Sequence, residues 1–301
     1  MGYEVLVVAH RGETDESIHA SAHQVCWVRV GQLGAILSFL EAQRASYALF
    51  AGGISRASLF RGAYPDWQAV RLIARLGTIQ DDVILRGIAA EIESRGVRVL
   101  GPRAFLPEFI PQSGLLTTRS LTEGEMRDAA RGWRAATAIG ALDIGQTVVV
   151  CDGLVVAVEA VEGTDRAIQR AGELTGRVHG RGHSGATRFM QRAQRAAGVG
   201  LMAMGAFATN QYRQRAVQDA IGSESLVVVK RAKPQQDPRL DLPTIGVNTI
   251  DQMKASGARA LVIEAGRTLL LDPALVLPAA DRAGIAILSV DADNLPWGES
   301  Q

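Results

Sequence analysis

Short apolar runs alternating with segments of helical periodicity constrain this chain more than any other feature. Tyr3 to Ala9, Val25 to Val30 and Tyr47 to Ala51 read as buried strands. Between them, Gln32 to Arg44 places Leu33, Ile36, Leu37 and Leu40 at the spacing of one helix face. Helices over Pro65–Leu76 and Asp81–Arg95 and a strand over Val97–Leu100 extend the pattern. Such alternation is the signature of an α/β layer structure with a mostly parallel sheet. Open sheets of this kind take ligands at the carboxyl ends of their strands. The Gly52-Gly53-Ile54-Ser55-Arg56 turn after the third strand therefore offers amides, a hydroxyl and a guanidinium to a phosphate or a sugar.

The style changes after Pro102, where Pro107, Pro111 and Gly114 mark an irregular stretch ending near Ser120. Two domains are expected, residues 1–118 and 119–301. The first is a truncated, Rossmann-like parallel sheet; the second is a mixed α/β domain. At 301 residues the chain is long enough for both cores. In the second domain, Thr122-Glu-Gly-Glu fits a capping box that opens a helix to about Ile139. Thr147–Cys151 and Leu154–Val158 flank Asp152-Gly153, the pair that suits a type I′ hairpin turn. Glu162-Gly163-Thr164-Asp165 then opens a helix whose first amides can hold an anion, with Asp165 also placed to complement the helix dipole. Later elements are a helix over Thr249–Ser256, strands over Ala260–Glu264 and Thr268–Leu271, a helix over Pro273–Ala283 and a last strand over Ile285–Val290.

Lys plus Arg (32) nearly balance Asp plus Glu (31), so no global field favours nucleic acid, and anions must be caught locally. Hydrophobic content of 47% with 21% charged residues is that of a soluble protein. No apolar run reaches the length of a membrane span and no signal pattern opens the chain, which points to the cytoplasm. Cys26 and Cys151 sit in apolar runs, as reduced thiols would.

The stretch richest in chemistry is Lys230–Gly246, KRAKPQQDPRLDLPTIG. Pro234, Pro238 and Pro243 keep it from continuing as helix or central strand. Lys230, Arg231, Lys233 and Arg239 stand beside Asp237 and Asp241, cations for phosphate oxygens next to carboxylates for a divalent ion. Further carboxylates at element ends are Asp143, Glu162, Asp165 and Glu264. No P-loop pattern is present, the histidines lack zinc-hydrolase spacing, and no histidine suits a serine triad. His179 and His183 lie in a glycine-rich loop without other ligands, which argues against a metal there. Magnesium-assisted chemistry on a phosphate or diphosphate remains.

Several blocks in series resemble the LpxI family, the UDP-2,3-diacylglucosamine pyrophosphatases of lipid A biosynthesis. They are Trp27-Val-Arg-Val-Gly-Gln-Leu-Gly, Ala51-Gly-Gly-Ile-Ser-Arg, Leu142-Asp-Ile-Gly-Gln-Thr-Val-Val-Val, Val158-Glu-Ala-Val-Glu-Gly-Thr-Asp, Lys233 through Gly246, and Glu264-Ala-Gly-Arg-Thr-Leu-Leu-Leu-Asp. The resemblance implies a cytosolic, two-domain enzyme that uses Mg²⁺ to split UDP-2,3-diacylglucosamine into UMP and 2,3-diacylglucosamine 1-phosphate. It makes Asp241, in Asp-Leu-Pro-Thr, the essential aspartate. With it, Asp237 or Asp165 is expected to position the metal and a water, while Lys233 and Arg239 neutralise phosphate charge. Gly163 and Thr164, together with Gly52, Gly53, Ser55 and Arg56, are expected to hold the nucleotide and diphosphate. Thr244 and Glu264 are further expected substrate contacts. The resemblance leaves room for a homo-oligomer and for transient contact with the inner-membrane surface.

Two departures from the family pattern bear on this. The family's opening strand, Ile-Ala-Gly-Gly-Gly-x-x-Pro loop and helix have no counterpart before Tyr3, so the first strand here matches the family's second. The segment at about 177–225 is longer than the family's connection, and Gly198–Ala206 within it has the outline of a strand and glycine loop. From the lost loop follows a rival expectation, a catalytically impaired member that binds UDP-sugar or lipid without turnover.

Overall fold

The computed structural model describes residues 2–54, 64–78, 80–177 and 225–298. The expected unit at 198–206 and both histidines at 179 and 183 lie outside them. The chain divides into two compact units: Met1–Pro107 with Gln235–Asp241, and Glu108–Pro234 with Leu242–Gln301. Where the sequence suggested a change near residue 118, residues 108–118 group with the second unit. The segment 235–241 groups with the first.

In the first unit, β1 (Leu6–His10) pairs in parallel with β2 (Gln24–Val28), and β3 (Tyr47–Leu49) pairs in parallel with β4 (Arg98–Leu100). Strand β1 starts later than its apolar run because Tyr3 and Val5 are exposed, and the Val5 amide donates to His23 Nδ1 at 2.9 Å. Helix α1 (Leu33–Ala42) buries Leu33, Leu37 and Leu40, the face its spacing announced. Helix α2 (Trp67–Leu76) begins at Asp66, whose carboxylate accepts from the Ala69 amide at 3.0 Å and from the Gly34 amide at 2.7 Å. One side chain thus caps one helix and ties it to another. With α3 (Asp81–Glu93), these elements close a core of Leu33, Leu37, Leu72, Ile92 and Val99. Leu240 from the late segment completes it.

The second unit is built on six strands in the order β5-β12-β10-β8-β6-β7. These are β5 (Gly114–Leu115), β6 (Thr147–Cys151), β7 (Leu154–Val158), β8 (Leu226–Lys230), β10 (Ala258–Glu264) and β12 (Ala286–Val290). The three strands β8, β10 and β12 are parallel, while β6 runs antiparallel to β8, and β5 and β7 are antiparallel to their neighbours. A separate parallel pair joins β9 (Thr244–Ile245) to β11 (Leu269–Leu270).

The unbroken apolar runs of β6, β8 and β10 follow from helices on both faces. Val149, Val228, Leu261 and Ile263 pack towards α5 (Thr164–Leu174), α6 (Val247–Ala255) and α7 (Pro273–Ala283). Val148, Val150, Val227 and Val229 face α4 (Glu123–Ala141) through Ala129, Trp133 and Ala136.

Helix α4 starts with the expected capping box: Thr122 Oγ1 accepts from the Glu125 amide, and Glu125 Oε2 accepts from the Thr122 amide at 2.9 Å. Glu125 also takes Arg119 at 2.6 Å on each oxygen and the Ser225 hydroxyl at 2.6 Å. Burial pushes its carboxyl up, but these donors together hold it below the usual range. The hairpin turn at Asp152-Gly153 has φ of 50° and 73°, the two positive values a type I′ turn needs. Cys26 and the buried Cys151 form no disulfide.

Gly145, just before β6, sets how closely that strand meets the end of β7. A Cβ there would stand 2.1 Å from the Glu159 carbonyl oxygen, a backbone atom that cannot swing away. Gly145→Ala is expected to destabilise the protein by about 2–3 kcal/mol in urea unfolding. Gly246→Ala, whose Cβ would meet only Leu271 at 3.7 Å, should stay within about 0.5 kcal/mol of wild type.

Candidate active site

The carboxyl ends of β8 and β10 carry the charged residues of the second unit. Lys230 closes β8 and is 5% exposed. Its Nζ donates to Thr164 Oγ1 and to the Thr244 carbonyl, both at 3.0 Å. Thr164 in turn donates to Glu159 Oε1 at 3.1 Å and lies 3.3 Å from Thr147 Oγ1. An ammonium and a carboxylate are therefore bridged by one hydroxyl at the first residue of α5. Strand register explains the meeting, since Thr147 pairs with Lys230 and its carbonyl accepts from the Glu159 amide at 2.8 Å. Among the described residues, Glu159 Oε2 is buried with no hydrogen-bond partner. Gly163, with φ of 86°, turns the chain into α5, and Asp165 stands exposed in its first turn.

Glu264 closes β10 and is 2% exposed. Its Oε2 accepts from the Ala232 amide at 3.1 Å and from Arg231 Nε at 3.4 Å, and Oε1 lies 3.9 Å from Arg267. It holds the backbone where the proline-rich loop leaves β8. Arg231 also bonds Thr137 and lies over the Trp133 ring, 4.7 Å from its centroid. Lys233 Nζ meets Asp143 Oδ1 at 2.7 Å. Thr244 offers its carbonyl to Lys230 and turns its hydroxyl to the Leu242 carbonyl at 2.9 Å.

In the first unit, the same loop folds on itself. Asp237 accepts from the Arg239 amide at 2.9 Å and from its guanidinium at 2.9 and 3.2 Å. Arg239 reaches Glu93 at 3.0 Å, and Arg86 donates to the Gln235 carbonyl at 2.7 Å. The amides of Leu240 and Asp241 both return to the Asp237 carbonyl, closing a tight turn. Asp241 emerges from that turn exposed, with Oδ2 accepting from the amide of Gln236, itself 3% exposed.

The structure thus brings Asp237, Arg239 and Asp241 into one turn of the first unit. Lys233, Gly163, Thr164, Asp165, Thr244 and Glu264 belong to the second. Gly52 and Gly53 are exposed, with open space where a Cβ would stand, while Ser55 and Arg56 lie outside the described residues. Among the described residues, no three His, Cys, Asp or Glu side chains converge as a ready-made metal cage. No described helix is long and apolar enough to cross a membrane. Sequence reading overlooked Glu159 and Thr147, although cross-strand pairing of the hairpin with β8 puts both beside Lys230.

The Arg239 side chain holds the Asp237 carboxyl below the usual carboxylate range, although partial burial opposes it. Its folded-state pKa is therefore lower than the unfolded value of about 3.9. The stabilisation is complete above that value and is lost as pH falls through the folded-state pKa. In urea unfolding, wild type should exceed Asp237→Asn by a constant margin from about pH 7 to 5, closing below about pH 3.9. A margin unchanged into strong acid would contradict the pairing.

Two family models match the chain: the LpxI N-terminal domain over residues 1–109 and the LpxI C-terminal domain over 112–195 and 201–288. The break at 196–200 falls within the segment read as longer than the family's connection. A UDP-2,3-diacylglucosamine pyrophosphatase LpxI from Caulobacter vibrioides is 34% identical over 275 residues, covering 89% of this chain and 83% of the relative. Matched in both domains and across most of its length, the chain belongs to the LpxI family.

Proposed function

We propose that this chain is a UDP-2,3-diacylglucosamine pyrophosphatase, hydrolysing the diphosphate to UMP and 2,3-diacylglucosamine 1-phosphate in lipid A biosynthesis. The observation that carries the reading is the identity of 34% to the Caulobacter relative of that name, over 83% of its length. Action in the cytoplasm, with transient contact at the inner-membrane surface where a diacylated substrate resides, agrees with the lack of a membrane-spanning helix among the described residues.

Asp241 is the carboxylate best suited to the chemistry. It is exposed, and the nearly buried Gln236 amide fixes its orientation from behind. Asp237 is less suited, because Arg239 already engages both of its oxygens. Mg²⁺ takes one or two protein carboxylates and completes its shell with water and substrate phosphates, so a single exposed aspartate fits it. Asp241 would hold the ion, which when bound supplies neutralisation of charge on the phosphate oxygens.

The remaining steps belong to the chain's own residues. Asp241 orients the attacking water and accepts its proton as the anhydride P–O bond breaks. Lys233, paired with Asp143 at 2.7 Å, is the second unit's candidate to neutralise phosphate charge. The first turn of α5 presents free amides to an anion, and the buried Lys230 beneath Thr164 keeps that turn in place.

UMP release from UDP-2,3-diacylglucosamine should require Mg²⁺ and disappear in Asp241→Ala, with an unchanged thermal melt. Lys233→Ala should lower kcat by about 10²-fold. Near-normal turnover by Asp241→Ala would sink the assignment. UMP binding by wild type without turnover would replace it with the impaired-binder reading.

A further inference from the structure

A cavity of about 340 Å³ opens in the first unit at the carboxyl ends of β1 and β2, lined by Arg11, Gly12, Thr14, Glu16, His19 and Trp27. This is where parallel α/β sheets place ligands. Its volume is at the small end of ligand sites, enough for a base or a nucleoside. The walls are built rather than incidental. The Arg11 amide donates to the Val28 carbonyl at 2.9 Å, and the amides of Glu13 and Thr14 both return to the His10 carbonyl. Thr14 Oγ1 accepts from the His10 amide at 3.1 Å. Asp15 caps the short turn of helix at Glu16–Ala20, which carries Glu16 and His19.

Three flat groups meet there. The His19 and Trp27 rings are 5.8 Å apart between centroids, and the Arg11 guanidinium lies 5.9 Å from the Trp27 ring. Indole N–H only donates, so its 3.1 Å bond to His19 Nε2 makes that nitrogen the acceptor and leaves Nδ1 as the ring's donor. The lining therefore holds a ring donor, a guanidinium donor and, in Glu16, a carboxylate acceptor, around an aromatic face.

A phosphate is poorly matched, because Glu16 offsets Arg11. An acyl chain is poorly matched too, because charged and polar side chains dominate the lining. A planar heterocycle with an acceptor–donor–acceptor edge is matched on every count. Uracil presents that edge as O4, N3–H and O2, whereas cytosine turns an unprotonated N3 to the same place, where the carboxylate would repel it.

We propose that this cavity seats the uracil ring of the substrate, stacked on Trp27, with Glu16 accepting from N3–H and Arg11 and His19 donating to the ring carbonyls. The assignment rests on the diphosphatase reading above, and adds to it the group that selects the nucleotide.

The test is calorimetric titration of the full chain with UMP, CMP and N3-methyl-UMP, alongside KM for UDP-2,3-diacylglucosamine. CMP and N3-methyl-UMP should bind about tenfold or more weakly than UMP. Trp27→Ala and Glu16→Ala should each weaken UMP about tenfold and raise KM in proportion, with kcat held. Equal binding of the three nucleotides, or UMP affinity unchanged in both variants, would overturn the proposal. Should Trp27→Ala fail to fold, the nucleotide series on wild type and the exposed Glu16→Ala decide. Turnover by wild type with unchanged KM in the variants would remove the cavity's role and keep the enzyme. A wild type that neither turns over the substrate nor binds UMP would remove both.

Discussion

The second unit depends on one buried charge. Lys230 ends a strand whose every residue is buried, and an ammonium there is tolerated only if its donors are met. The Thr164 hydroxyl and the Thr244 carbonyl meet them, which fixes the start of α5 and the start of β9 at a single point. Through Thr164, the charge is carried on to Glu159 at the end of the hairpin. The starts of α5 and β9 and the end of the hairpin are thus positioned by one side chain. The neighbouring strand end repeats the device with opposite sign: Glu264, equally buried, gathers the Ala232 amide and the Arg231 guanidinium. The carboxyl ends of β8 and β10 are thereby each held by a buried, hydrogen-bonded charge.

The proline-rich loop sorts its charges by the same logic. Most of its cations are already paired: Arg239 with Asp237 and Glu93, Lys233 with Asp143, Arg231 with Glu264. Among the described residues, Asp241 differs in being exposed and oriented by an amide rather than paired with a cation. An accessible, oriented carboxylate is suited to holding a cation or taking a proton.

Much of this was legible in the residues. The helix face of Leu33, Leu37 and Leu40, the Thr122–Glu125 capping box and the Asp152-Gly153 turn depend on contacts within a few residues, and each formed as its spacing foretold. Strand ends were less legible: Tyr3 and Val5 are apolar but exposed and outside β1, and nothing local distinguishes them from Leu6. The pairing of charges was hidden for a different reason. The bond of Arg239 to Glu93 spans 146 residues of sequence, and the partner of Glu264 at Ala232 offers only a backbone amide. Local patterns carry no trace of such partners.

Leu240 sits in the core made by Leu33, Leu72 and Val99, yet lies about four-fifths of the way along the chain. As the protein emerges from the ribosome, the first unit has its strands and helices long before it has that residue. Its core stays one side chain short until much of the second unit has been synthesised. The seven residues 235–241 act as a closing stitch, so the nascent first unit must wait for a piece of chain that also carries Asp241. Completion of that core and delivery of that carboxylate are one event in the life of the chain.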